Sequence, residues 1–132
     1  EIKNNSRFWL FFKDAISVLD RSHIHVVPAA NDQAAYHNCK GYVSQNCLFA
    51  CDFQFQFTYT LTGWEGSAMD AHIYQDALSK DLKIPEGRYF LVDAGFPHHL
   101  ELMVPYHGIC YHLAEWHCAQ LKLQNKEELF NL

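Results

Sequence analysis

Several patterns that would indicate a function directly are absent from this 132-residue sequence. No run approaches the roughly 18 apolar residues of a membrane span, and no signal-peptide pattern opens the chain. A glycine-rich phosphate loop, a Gly-x-Ser-x-Gly elbow and a Cys/His nucleophile pair are also missing. The sequence therefore gives no support to a membrane protein, a P-loop nucleotide-binding protein or a hydrolase with a serine or cysteine nucleophile.

Basic residues are scarce: 10 Lys and Arg stand against 15 Asp and Glu, for a formal net charge of −5. This balance argues against a stand-alone nucleic-acid-binding module, which normally carries a basic face. It is compatible with a nuclease core, because a metal site is itself acidic and other segments can hold the DNA. The five cysteines lack paired C-x-x-C spacing, so we expect free thiols rather than a disulfide framework.

The composition is that of a globular domain, with 49% apolar and 15% aromatic residues. A chain of this length forms one domain at most. It opens on Glu1 and closes on Leu132 inside an apolar, helix-like run. We therefore expect residues 1–132 to be a single partial domain that is cut at both ends.

Hydrophobic periodicity predicts short helices and strands in mixed order. Unbroken alternation over residues 53–62 predicts a strand, and residues 42–51 pair with it in a hairpin that turns at Asp52. The other predicted elements are a helix over 5–14, a strand that ends near Asp20 and then an extended stretch or its continuation, a helix over 67–80, a strand over 88–92, an irregular segment over 96–122 and a helix from Asn125. A hairpin with separate strands and helices indicates an α/β fold, a mixed sheet with helices packed on it.

Three aspartates stand where predicted elements begin or end. Asp20 and Asp93 follow predicted strands, and Asp70 lies in the first turn of the predicted helix. Carboxylates at the strand ends of an α/β sheet project into the crevice where ligands bind. Carboxylates held close together repel one another, and a divalent cation such as Mg²⁺ neutralises them. Two such ions about 3.5–4 Å apart can activate a water for phosphodiester cleavage.

Each aspartate also has a purely structural interpretation. Asp20 can bond its own backbone in a turn, and Asp93, in Asp-Ala-Gly, is an ordinary turn former. Ser67 and Asp70 have the spacing of a capping box. Spacing alone therefore leaves two interpretations open, a shared metal site and three unrelated structural roles.

Seven short blocks follow one another along nearly the whole chain: FWLFFKDA at 8–15, LDRSHI at 19–24, YHNCKGY at 36–42, TY at 58–59, GWEGSAMD at 63–70, YFLVDAGFP at 89–97 and ELFNL at 128–132. In this order they resemble the conserved blocks of the Harbinger-type, transposase-derived nucleases of the DDE superfamily. The resemblance implies an RNase H-like nuclease core. In it, Asp20 and Asp93 are catalytic carboxylates, and Asp20, Asp70 and Asp93 are ligands of Mg²⁺ or Mn²⁺.

The same resemblance implies a DNA substrate that is held through a separate DNA-binding domain or partner protein, and a nuclear location. We expect Asp20 and Asp93 on neighbouring strands, with Asp70 facing the same crevice. An alternative from another class is a non-catalytic protein-interaction or DNA-associated module that retains the fold. Metal binding through the three aspartates distinguishes the two.

Departures from the family pattern bear on activity. Arg21 stands where the family has glycine, so a long cation beside Asp20 can pair with it and compete with a metal ion. Met69 and His72 stand where the family commonly has histidine and arginine. The family's final catalytic glutamate lies on a helix beyond the last block, so we expect this chain to be inactive. Two candidate substitutes are Glu127 and Glu128, but the helix dipole explains acidic residues in a first turn.

Other groups of residues give weaker signals. A segment rich in metal-binding side chains contains His98, His99, His107, Cys110, His112, His117 and Cys118. Structural zinc sites prefer two tight ligand pairs, so surface histidines are the favoured interpretation. His23 and His25 share a face of an extended stretch and either line the cleft beside Asp20 or pack. Trp64 and Trp116 can stack on nucleic acid, although core packing is favoured.

Overall fold

A computed structural model describes residues 6–29, 31, 34, 36–37, 41–109 and 125–131. Its strands form one mixed sheet in the order β3-β2-β1-β4-β5, with β1 at Ala15–His25, β2 at Ser44–Cys51, β3 at Phe57–Glu65, β4 at Tyr89–Leu91 and β5 at Leu102–Met103. The helices are α1 at Ser6–Phe12, α2 at Asp70–Lys80 and α3 at Lys126–Asn131. The predicted α/β class is confirmed, and the sheet is consistent with the RNase H-like fold.

Strand β1 is the centre of the sheet. It pairs antiparallel with β2 and parallel with β4. Its side chains alternate between two environments, because successive residues of a strand point to opposite faces: Leu19 is fully buried, whereas Asp20 is exposed. The sequence left open whether the strand continues after Asp20 or gives way to a second extended stretch, and the structure shows the continuation, since the ladder to β2 runs to His25. The polar run after Asp20 therefore continues the strand instead of interrupting it.

The β2–β3 hairpin turns later than the alternation predicts. Residues 53–56 belong to the turn, where the Asp52 carboxylate accepts backbone N–H bonds from Gln54 at 2.8 Å and Gln56 at 2.9 Å. These local bonds hold the turn, and Phe55 takes a left-handed φ of 62° in it. The strand predicted over residues 53–62 continues through Gly63 to Glu65. Gly63 adopts a φ of 94°, which suits glycine, at an irregularity in the ladder to β2.

Helix α2 packs on the sheet through residues at helical spacing. The buried positions are Asp70, Ile73, Tyr74 and Ala77, the i, i+3, i+4, i+7 pattern of one helix face. The predicted start at residue 67 is three residues early, because the N-cap is Met69, which makes no side-chain capping bond. The capping-box interpretation of Asp70 is therefore wrong, and its carboxylate is left for other contacts.

The core lies between α2 and one face of the sheet. Its aromatic members include Tyr74, Phe90 and Phe96. The segment predicted to be irregular contains β5, which pairs parallel with β4, while residues 110–124 lie outside the described part. Asn125 caps α3 as predicted, by accepting the Glu128 N–H at 2.8 Å. No helix among the described residues is long and apolar enough to cross a membrane.

Candidate metal centre

Asp20 and Asp93 lie on neighbouring chain segments of the sheet. The parallel ladder of β1 and β4 ends at the pair Val18 and Leu91, and Asp20 and Asp93 each lie two residues beyond it. Adjacent strands lie about 4.8 Å apart, so the two segments leave the ladder side by side. The charge of Asp93 contributes to raising the pKa of Asp20. The two predicted catalytic carboxylates are therefore neighbours.

Asp70 approaches the same segment from α2. A Cβ atom added to Gly95 would collide with Asp70 Oδ2 and would come within 3.2 Å of Asp93 Oδ1. The two carboxylates thus converge on the Asp93–Gly95 turn, where a larger residue would displace one of them. Asp20 is exposed on β1 and lies close enough for its charge to act on Asp70.

Backbone N–H groups hold one oxygen of each strand carboxylate. The Arg21 N–H donates to Asp20 Oδ1 at 2.7 Å, and the Gly95 N–H donates to Asp93 Oδ1 at 3.0 Å. These are the local bonds predicted by the structural interpretation of both residues. They orient the carboxylates and leave the second oxygen of each for another ligand, so the structural and the metal-binding roles are compatible.

The electrostatics of the three carboxylates favour a cation between them. Burial raises the pKa of Asp70, and the charges of Asp93 and Asp20 raise it further against the lowering effect of Arg21. Partial desolvation is the main cause that raises the pKa of Asp20. Desolvation is the largest cause of both shifts, and neighbouring carboxylate charges add to it. A divalent cation would offset both effects, because it favours the charged form of each carboxylate.

Arg21 contacts Asp70 and not the carboxylate of Asp20. Its guanidinium Nε forms an ion pair with Asp70 Oδ1, and its Nη1 donates to the Ala68 carbonyl at 3.3 Å. The expected pairing with Asp20 is wrong for a geometric reason: consecutive residues of β1 point to opposite faces, and α2 lies on the Arg21 face. Asp70 Oδ1 is buried, and Arg21 is its positively charged partner there.

The donor set fits a divalent metal ion in kind, although it is not arranged as a complete ligand shell. Carboxylate oxygens are the ligands that Mg²⁺ and Mn²⁺ prefer. Within the described part of the chain, no three His, Cys, Asp or Glu side chains are placed to hold one ion together. The side chain of Asp70 is turned to Arg21 instead. Metal binding would therefore require a rearrangement of that ion pair.

The two glutamates of α3 are engaged elsewhere. The Asn125 side-chain amide donates to the Glu128 carboxylate at 3.3 Å, and Lys126 lies 3.8 Å from Glu127. With the Asn125 bond to the Glu128 N–H, this is a reciprocal cap of the helix start. These contacts agree with the interpretation that Glu127 and Glu128 stabilise the start of α3.

A cavity of about 600 Å³ adjoins the ion pair of Arg21 and Asp70. His23 and His37 line it, together with Gly95. His23 lies on the Arg21 face of β1 and is 3.1 Å from the Ser44 hydroxyl. It therefore lines the side of the cleft next to Asp70, whereas the sequence placed it beside Asp20. His25, the other histidine of this strand, stacks on Tyr42 with ring centroids 4.4 Å apart.

The remaining candidates have mainly structural roles. Trp64 packs against the core, and its indole N–H donates to Asp76 at 2.8 Å. Cys47 and Cys51 are free thiols, as expected. The rings of His98 and His107 are in tilted contact, with centroids 4.8 Å apart. The other zinc candidates at 110, 112, 117 and 118 lie outside the described residues, as do Cys39 and Trp116.

Sequence reasoning missed the contribution of Asn46. This residue is fully buried, and its side-chain amide donates to the Ala68 carbonyl at 3.3 Å, the same oxygen that Arg21 contacts. An asparagine at a core-facing position of a strand was the available signal, since a buried amide needs hydrogen-bond partners. The sequence could not predict its contact with the Ala68 carbonyl, because that contact depends on where the loop before α2 lies in the fold.

The chain is similar to known nucleases. Residues 19–132 match the family described as DDE superfamily endonuclease. The protein named "Putative nuclease HARBI1" from Rattus norvegicus is 32% identical over 95 residues, and its Homo sapiens counterpart is 30% identical over 95 residues. Each match covers 70% of this chain but only 27% of the relative. No solved structure matches the chain.

The family match covers well over half of the chain and includes all three aspartates of the candidate centre. The mixed sheet is consistent with the RNase H-like fold that the resemblance implies. The chain belongs to the DDE superfamily endonucleases.

Proposed function

We propose that this chain is the core of a divalent-metal-dependent DNA endonuclease, derived from a transposase. Asp20, Asp70 and Asp93 would hold Mg²⁺ or Mn²⁺, with Asp20 and Asp93 as the catalytic carboxylates. The observation that carries the proposal is the convergence of Asp70 and Asp93 on Gly95, beside Asp20. We also infer that residues 1–132 form one partial nuclease domain, because the chain spans about a quarter of its curated relatives.

The chain's own residues would position the reaction. Backbone bonds from Arg21 and Gly95 hold Asp20 and Asp93 in orientation, and Gly95 leaves space for the Asp70 carboxylate. A bound divalent cation would activate water and stabilise charge on the leaving oxygen of a phosphodiester. The net charge of −5 repels DNA, so other segments or a partner protein would supply the basic contacts. We propose the nucleus as the location, because the DNA is there.

Titration of the purified chain with Mn²⁺ by isothermal calorimetry tests the metal site. We expect Asp20→Asn, Asp70→Asn and Asp93→Asn each to weaken binding about tenfold or more, the loss typical when a metal site is perturbed. Asp14→Asn is the control, because this exposed carboxylate lies before β1, six residues from Asp20. If all three variants bind Mn²⁺ as tightly as the unchanged chain, the site is misassigned.

The ion pair between Arg21 and Asp70 also favours a second candidate, a non-catalytic module that retains the fold. In that case Arg21 replaces the metal permanently and the centre is structural. Such a protein would bind no Mn²⁺ through Asp70, and Asp70→Asn would reduce its stability without changing any metal affinity. The same calorimetric titration therefore separates the two functions.

A further inference from the structure

Arg21 places a cation of the chain itself at the candidate metal centre. Its Nε contacts Asp70 Oδ1, with the Asp70 side chain 6% exposed and the Arg21 side chain 36% exposed. We propose that Arg21 is an exchangeable counter-ion of Asp70 that a divalent metal ion must displace, so that Arg21 sets the metal affinity of the centre. The inference rests on the proposed metal site at Asp70.

Electrostatics make the guanidinium and the metal ion competitors. A buried carboxylate needs a positive partner, because leaving it charged and unpaired in the protein interior is costly. Either Arg21 or a divalent ion meets that need. The two cations oppose each other, because charges of +1 and +2 about 4 Å apart repel strongly even at an effective dielectric constant of about 20. Arg21 contacts Asp70 Oδ1, whereas Oδ2 is the oxygen turned to Gly95, so metal binding and Arg21 pairing compete for the same carboxylate.

The contacts of Arg21 are those of a group that can leave. Arg21 Nε supplies the positive partner of Asp70 Oδ1, a role that a divalent cation can also fill. The Ala68 carbonyl, the second contact of Arg21, also accepts a bond from the buried Asn46 amide at 3.3 Å. When Arg21 moves away, this carbonyl keeps a donor, and no buried acceptor is orphaned by the exchange.

Space for the displaced side chain is present. The cavity of about 600 Å³ is lined by Arg21, Asp70 and Gly95. Because more than a third of the Arg21 side chain already reaches solvent, its guanidinium can rotate into water without unfolding β1. Asp70 is held by α2 and has no comparable freedom. The exchange therefore moves Arg21 and leaves the carboxylate in place.

Mn²⁺ binding by Arg21→Met measures the competition directly, because methionine keeps part of the aliphatic stem and removes the charge. Arg88→Met is the matched control. Arg88 also lies near an aspartate, at 3.7 Å from Asp14, and also donates to a backbone carbonyl, that of Lys13 at 3.2 Å. Dissociation constants come from calorimetry, and melting temperatures are recorded with and without Mn²⁺.

We expect Arg21→Met to bind Mn²⁺ at least about tenfold more tightly, because a repelling charge has gone. Without metal its melting temperature should fall, and Mn²⁺ should raise it more than that of the unchanged chain. Arg88→Met should bind as the unchanged chain does. In an Asp70→Asn background the gain from Arg21→Met should disappear, which would place the effect at this carboxylate.

Three results would overturn the inference. The first is a folded Arg21→Met whose Mn²⁺ affinity is unchanged although Asp70→Asn weakens binding, which leaves the metal site intact and removes only the role of Arg21. The second is a gain that survives Asp70→Asn. The third is an absence of Mn²⁺ binding in every variant, which refutes the metal site as well. If Arg21→Met is unfolded without metal, Arg21→Gly is compared, and Mn²⁺ must restore the circular dichroism of at least one.

Discussion

At the scale of single residues, the buried polar atoms differ in whether they have a partner within the described residues. Asn46 and Tyr74 each have a buried side-chain oxygen that forms no hydrogen bond within the described residues, whereas the buried Asp70 Oδ1 has Arg21 as its partner. Tyr74 lies one helical turn after Asp70, and its ring is in an edge-to-face contact with His99. Burial raises the pKa of its phenol to about 12, so at neutral pH it remains an uncharged, unsatisfied hydroxyl.

Tyr74→Phe should raise the free energy of unfolding by about 1 kcal/mol, because it removes a buried unsatisfied hydroxyl and keeps the ring. Tyr59→Phe is the matched control. Its hydroxyl donates to Asp81 at 2.8 Å, so its loss should lower stability by about 0.5–1.5 kcal/mol. Urea unfolding measures both variants. Equal destabilisation by the two substitutions would show that the Tyr74 hydroxyl does have a partner.

At the scale of elements, α2 is held to the sheet by its buried stripe and by one polar junction. The Asp76 carboxylate accepts hydrogen bonds from the Trp64 indole on β3 and from Lys80 one turn along, both at 2.8 Å. The Lys80 bond, and then the Trp64 bond, hold the pKa of Asp76 below its usual value of 3.8. A lowered carboxylate pKa stabilises the fold above the unfolded-state value, and the effect is lost as pH falls through the folded-state value.

Asp76→Asn should therefore lower the melting temperature at pH 7, and the difference from the unchanged chain should shrink as the pH falls below about 3.8. Thermal unfolding followed by circular dichroism at pH 7, 5 and 3 gives the profile. Asp14→Asn serves as the control, since its pair with Arg88 is long and exposed and should contribute little. A difference that stays constant over this pH range would exclude ionisation of Asp76 as the cause.

At the scale of the whole molecule, the number of carboxylates at the candidate centre limits the number of metal ions that the chain can hold. The 132 residues bring Asp20, Asp70 and Asp93 to one region, while both glutamates of α3 contribute to its capping or to a pair with Lys126. A two-ion mechanism needs enough ligands to place a metal at each reacting oxygen. With these three aspartates, we expect the 132-residue chain to hold at most one metal ion.

We therefore predict that the 132-residue chain nicks supercoiled plasmid no faster than its Asp20→Ala variant in Mg²⁺ or Mn²⁺. Loss of one charged stabiliser commonly reduces a rate on the order of 10²-fold or more. A version extended through the glutamate-bearing helix of the family should show metal-dependent nicking. If the 132-residue chain is already active well above Asp20→Ala, the last carboxylate lies within it, and Glu127→Gln and Glu128→Gln become the next variants to measure.

Local sequence patterns predicted much of the fold. Alternation predicted the hairpin, helical spacing predicted α2, and Asn125 predicted the start of α3, because these signals depend on neighbours within a few residues. The errors lie at boundaries: residues 53–56 form a turn, and α2 starts at Asp70. These boundaries are set by strand pairing and by hydrogen bonds within turns, which the local sequence pattern does not indicate.

The sequence by itself determined the α/β class, the family and the identity of the three aspartates, since each is written in composition, periodicity or the order of short blocks. Only the tertiary structure decided which aspartate Arg21 neutralises. The register of β1 directs Arg21 away from the adjacent Asp20, and the packing of α2 brings Asp70 to it from 49 positions further along the chain. Chain proximity favours the Asp20 pair, but the two-residue period of a strand places its neighbouring side chains on opposite faces.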